Sequence, residues 1–235
     1  MELLTLFLFG CLIGMQHALE ADHLAAVAAL NDKRGSRRAL VLRGSVWGIG
    51  HTITLLTICG VILLLGESIS ARTEAILEAA VGAMVILLGG NVLYKVWRDR
   101  PHIHVHHHQN GTPHIHVHTH ADERVAHEQN PHLHRHQKLG LGRALMVGMM
   151  HGAAGSAGLL VLAAAADSIQ LAGAYVIAFG TGSIIGMAAL SFIVSFPMRK
   201  IESCASWVNT AAFVSIGCAA IIIGGNLITQ SWSSL

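Results

Sequence analysis

Charge is what this chain has least of. Only 12% of its 235 residues are Asp, Glu, Lys or Arg, about half the roughly 25% usual in a soluble domain, which excludes an ordinary water-soluble globule. Aromatic residues are scarce at 5%, and the net charge is +2 with the histidines neutral, so there is no basic footprint for nucleic acid. The four cysteines, Cys11, Cys59, Cys204 and Cys218, form no C-x-x-C pair; three lie in apolar runs, where Cys acts as a small hydrophobe. No G-x-x-x-x-G-K-S/T stretch is present, so any active transport must draw on an ion gradient, the membrane potential or partner chains. No basic segment precedes the first apolar run, and the run is too long for a signal-peptide core, so it reads as a retained span.

What is abundant is apolar and small: 53% hydrophobic residues and 25 glycines, the profile of closely packed transmembrane helices. Six apolar runs, at 3–29, 42–66, 75–96, 141–165, 169–196 and 205–229, each reach the roughly 20 residues that cross a bilayer. Backbone in lipid must satisfy its own hydrogen bonds, so the runs are expected to be helices. Of the fifteen Lys and Arg residues, all but Arg72 flank the first, third or fifth connection. The positive-inside rule therefore places both termini outside and the long connection in the cytoplasm, with the bacterial inner (plasma) membrane as the expected location.

The two halves echo each other in order. "GMQHA" at 14–18 returns as "GMMHG" at 148–152, "GIGHTI" at 48–53 as "GTGSII" at 180–185, and "LLGGNVL" at 87–93 as "IIGGNLI" at 222–228. Three spans per half is an odd number, so the second half must run opposite to the first. The expected fold class is an all-α integral membrane protein of six helices in two inverted three-helix repeats. Residues 1–97 form the first repeat, 98–138 an unfolded His-rich cytoplasmic loop, and 139–235 the second repeat. In such architectures the substrate site lies near the midplane, between the repeats.

Four histidines, His17, His23, His51 and His151, lie inside the spans. A lone intramembrane His usually makes an interhelical hydrogen bond. Counted from Asn31, Arg43 and Arg143, however, His23, His51 and His151 are each eight residues in, a common depth of about 12 Å, with His17 at about 21 Å. Asp22 adjoins His23, and Glu20 is close by. Ionisable groups at such depth face a polar pathway or each other, and imidazole with carboxylate suits Ni, Co, Zn, Cu or Fe. On a straight helix His17 stands about 140° from Asp22 and about 240° from His23. The span is therefore either bent, near Gly14, or lined by groups that serve as successive steps of a path.

"HALEADHLAAV", with His17, four residues, then Asp22-His23, resembles the signature helix of the nickel/cobalt transporter family, the NiCoT or NicO permeases. "GIGHTITLL" at 48–56 resembles that family's following helix. The resemblance covers the first quarter of the chain. It implies that His17, Asp22, His23 and His51 line a route for Ni2+ or Co2+. Six spans place the chain nearer the short, UreH-like members than the eight-span permeases. "MMHGAAGSAGLL" at 149–160 departs from the acidic motif of the larger members, so His151 enters as a ligand through its depth and the repeat.

The long connection holds thirteen histidines between 102 and 136. One unit recurs three times, "PHIHVH" at 101–106, "PHIHVH" at 113–118 and "PHLHRH" at 131–136. In extended chain, residues two apart point the same way. His102, His104 and His106, then His114, His116 and His118, then His132, His134 and His136 would each chelate a borderline dication. The expected role is buffering of cytoplasmic metal.

The function these features imply is uptake of Ni2+ or Co2+, with Zn2+ not excluded by imidazole chemistry, no resident cofactor and no catalysis. Expected partners are the metal ion, the lipid bilayer and maturation proteins of urease or hydrogenase. The alternatives are efflux by the same fold, or an accessory role that hands nickel to urease or hydrogenase assembly. A membrane metalloenzyme fits less well: a zinc protease needs His-Glu-x-x-His, and "HALEADH" has its Glu elsewhere. The orientation is tested by labelling. In a cysteine-free background, Gln109→Cys is expected to react with an impermeant thiol reagent only from the cytoplasm and Ser234→Cys only from outside. Reaction of both from one side would remove the six-span arrangement.

Overall fold

The structure is a computed structural model that describes residues 3–30, 36–65, 70–98, 102–106, 114–118, 140–154, 168–202 and 206–233. Among these it contains seven helices: α1 (Leu3–His17), α2 (Ala21–Leu30), α3 (Arg37–Leu65), α4 (Ala71–Arg98), α5 (Leu141–Ala154), α6 (Ile169–Glu202) and α7 (Ser206–Ser233). Their starts follow from the sequence. Ser36, Ser70 and Ser168 each accept a backbone N–H of the first turn of α3, α4 and α6, from Ala39, Thr73 and Leu171, which satisfies a donor that the helix itself leaves open. α4 carries Glu74 in its first turn and Lys95 and Arg98 in its last, the charge order that the helix dipole favours.

Among the described residues four helices are long and apolar enough to cross a membrane, α3, α4, α6 and α7, and a fifth crossing arises if α1 and α2 count as one bent span. The expected span 141–165 is described only over α5, because 155–167 lie outside the described residues. Large apolar side chains such as Leu64, Leu87, Ile193 and Ile222 stand exposed on the helix surfaces. An apolar mantle of this extent needs lipid to cover it.

The first span departs from expectation in a way that matters for the site. The bend lies at Ala18–Glu20, not near Gly14, and turns α2 by 61° from α1. There Leu19 N–H donates to Gln16 at 2.9 Å and Glu20 N–H to His17 at 3.1 Å, the tighter i to i−3 pattern that closes a helix. Gly14 remains helical, and its missing side chain is used for packing: a Cβ there would meet the Phe179 carbonyl of α6. Similar close approaches set Gly148 of α5 on the Trp47 carbonyl of α3, Gly182 on that of Cys11, and Gly50 on that of Leu145. α1 thus packs on α6, α3 on both α5 and α6, and α4 on α7, with small residues at the crossings.

Part of the long connection also differs from the unfolded loop expected. His102–His106 (β1) pairs antiparallel with His114–His118 (β2), His104 opposite His116. Two copies of one His/Ile/Val alternation supply matching strands, and β-branched residues favour the extended form. The third unit, with His132, His134 and His136, lies outside the described residues.

Gly14→Ala places a methyl against the Phe179 backbone and is expected to cost about 1–3 kcal/mol by overpacking. Gly90→Ala, where a Cβ meets open space, should change stability little. Thermal unfolding of both in detergent measures the difference, and equal melting would remove the close α1–α6 contact.

Candidate metal centre

The bend brings together what the sequence spaces apart. The His17 and His23 rings lie 4.7 Å apart, His23 and His151 4.7 Å, His17 and His51 5.2 Å, and His23 and His51 5.6 Å, centroid to centroid. All four intramembrane histidines therefore form one cluster, drawn from α1, α2, α3 and α5. The common depth read for His23, His51 and His151 agrees with this arrangement. His17 joins them because the helix breaks just after it. Relative exposures of 1% for His23, 0% for His51 and 2% for His151 seal the imidazoles from bulk water.

Hydrogen-bond partners decide which ring nitrogen carries the proton. His151 Nδ1 lies 3.0 Å from the Val147 carbonyl, which can only accept, so Nδ1 carries the hydrogen and Nε2 a lone pair. His23 Nδ1 stands 3.0 Å from Asp22 Oδ1, and His17 Nδ1 2.7 Å from Glu20 Oε1. Each carboxylate accepts from its imidazole and leaves Nε2 as a donor to metal, the arrangement in which an outer carboxylate fixes a ligand's tautomer. The Nε2 atoms of His17, His23 and His151 and both nitrogens of His51 are buried without hydrogen-bond partners. Two sets of three, His17–His23–His51 and Asp22–His23–His151, have ligand atoms within 4.8 Å of one another. The sequence-derived metal residues His17, Asp22, His23, His51 and His151 thus all fall in one place.

Three participants were not picked out by sequence. Trp47 is buried and its ring lies 5.4 Å from that of His23 and 5.5 Å from that of His151. Its spacing of four from His51 on α3 is the signal that could have found it. Glu78 of α4 lines a cavity of about 140 Å³ together with His17, Glu20, Asp22, His23 and His151. Ser231 of α7 donates to Glu78 at 3.1 Å, a contact between distant segments that no local pattern predicts. Trp47 also lines a second cavity of about 110 Å³, with Arg43, Lys95 and Arg143. Glu78 and Lys95 lie about 25 Å apart along α4, so the acidic and basic cavities sit toward opposite ends of that helix.

Comparison with known proteins adds two findings. The family described as "Cytochrome C biogenesis protein transmembrane region" matches residues 5–225. The urease accessory protein UreH of Bacillus sp. (strain TB-90) is 27% identical over 219 residues, covering 91% of this chain and 88% of that protein. No solved structure gives a significant match.

Proposed function

As the chain belongs to the cytochrome c biogenesis protein transmembrane region family and is an integral membrane protein, we propose that it carries Ni2+ or Co2+ across the membrane through the buried histidine cluster. The observation that carries this reading is the convergence of four imidazoles and Asp22, with five ring nitrogens buried and unpartnered. A buried polar atom without a partner costs about 1–3 kcal/mol. Several gathered in sets of three within 4.8 Å are explained by a ligand that satisfies them together. Imidazole selects borderline dications, and the carboxylate offsets part of the ion's charge in a low-dielectric site. The metal here is cargo.

Several finer statements belong to the same proposal. The "HALEADH" and "GIGHTI" motifs resemble the nickel/cobalt permeases, and the UreH relative supports the short, UreH-like branch of that family. Two inverted repeats are supported by the close approaches. With 14 matched to 148 and 48–53 to 180–185, the contact of Gly14 with Phe179 exchanges with that of Gly148 with Trp47. Gly182 with Cys11 likewise exchanges with Gly50 with Leu145. Uptake is the direction we favour: the basic residues put Arg43, Lys95 and Arg143 on the cytoplasmic side, which leaves the Glu20–Glu78 cavity as the outward mouth, where acidic groups attract a dication. The relative's name favours a second reading, in which the metal is delivered to urease assembly rather than to the cytoplasm at large.

Cells or vesicles containing the chain are expected to accumulate Ni2+ or Co2+ in preference to Zn2+, and Asp22→Asn to lower the rate by at least about tenfold. Wild-type rates in Asp22→Asn would deny the carboxylate a role in metal movement. Deleting 102–136 is expected to leave transport measurable while altering its response to cytoplasmic metal. Complete loss in a correctly inserted protein would make the connection the primary site.

A further inference from the structure

The cluster contains two ligand sets, not one, and His23 belongs to both. We propose that these are alternative stations for a single ion, which is captured at Asp22–His23–His151 and handed to His17–His23–His51 while His23 keeps hold of it. This inference rests on the transport reading.

The two sets differ in access. Asp22, His23 and His151 all line the cavity that also holds Glu20 and Glu78. His51 is fully buried and is not among the lining residues. His17 and His23 of the second station line that cavity too, so the first station lies wholly on the cavity wall and the second reaches one ligand, His51, behind it.

The sets also differ in chemistry. Asp22 Oδ1 orients His23, while Oδ2 faces His151 Nε2 at 3.7 Å. His151 has its hydrogen on Nδ1, so a lone pair and a carboxylate oxygen confront each other with no proton between them. A cation resolves that confrontation. The second station offers three imidazoles and no carboxylate, and its His17 and His23 are held in place by Glu20 and Asp22. In the exchange Asp22 passes from ligand to orienting group, and the ion is never released to water. Both stations share one imidazole, and their ligand atoms lie so close that two dications would repel strongly, so occupancy is single.

The stations are anchored differently as well. His17, His23 and His51 come from α1, α2 and α3, in the first half of the chain. The Asp22–His23–His151 station joins α2 to α5, across the two halves. Any relative movement of α5 and α2 would open the capture station while leaving the trihistidine station intact.

The test is equilibrium binding of Co2+ alone to the purified full-length chain in detergent. Wild type is expected to bind one ion. His51→Ala and His151→Ala each leave one station, and the affinities of two alternative stations add, so each weakens binding by only about twofold where the stations are equally strong, whereas the double variant loses roughly a hundredfold beyond the product of the single losses. His23→Ala, which damages both stations, matches the double variant. Additive losses, a single variant as weak as the double, or two ions bound at once in wild type would overturn the proposal. If His51→Ala does not fold, a separate measurement is made on Asp22→Asn, which keeps the side-chain shape and removes the carboxylate of the capture station. That variant is expected to retain one Co2+ in an all-imidazole protein shell by X-ray absorption while transport stops, and loss of its binding would overturn the two-station scheme. Failure of the transport reading is separate, since it requires that wild type move no metal at all.

Discussion

Residues Ala18 to Glu20 interrupt a segment that lipid would otherwise hold as continuous helix, because a broken backbone at membrane depth is tolerated only where protein or water covers it. Here the interruption is closed by two tight hydrogen bonds and sits beside the cavity that Glu20 lines. The 61° turn rotates α2 so that His17 and His23, on different faces of a straight helix, meet at 4.7 Å. Once they meet, the remaining contacts follow. Glu20 reaches back to orient His17, Asp22 lies between His23 and His151, and α3 slides in close enough to add His51. A site built this way concentrates several unsatisfied nitrogens in one place, and strain of that kind is retained where a ligand relieves it.

The helical, membrane-embedded character of the chain was legible because composition and run length act along the whole sequence. The candidate cluster was legible for a different reason: ionisable residues are so costly in lipid that each one names itself. His23, His51 and His151 could be placed at one level by counting from charged edges, since helix rise is constant. His17 could not, because that count assumes an unbroken helix, and the break consists of Ala, Leu and Glu, with no Gly or Pro to announce it. Gly14 drew attention as the flexible residue, yet its role is to admit the Phe179 backbone. Glu78 and Ser231 meet across α4 and α7, and nothing local to either residue indicates the other. Trp47 read as one more apolar residue until His23 and His151 were found against its ring.

The likeness of the two halves sharpens the question of why the ligands are so unevenly shared. Under the inverted-repeat reading His17 corresponds to His151, but His51 corresponds to Ser183 and Asp22-His23 to Ser156-Ala157. Several glycines that let helices touch are kept in both halves, Gly14 with Gly148 and Gly50 with Gly182 among them, because both sides of those crossings need the same close approach. The ligands need not be kept. Two full histidine clusters side by side would hold two dications in a low-dielectric interior, where their mutual repulsion is barely screened. Ser183 is buried with its hydroxyl unpartnered, so the second half retains a polar residue at the matching place without the power to hold a metal. A repeat that keeps its packing residues and sheds all but one imidazole leaves a single cluster. Under that reading His151 is the one imidazole that the second half contributes to the cluster.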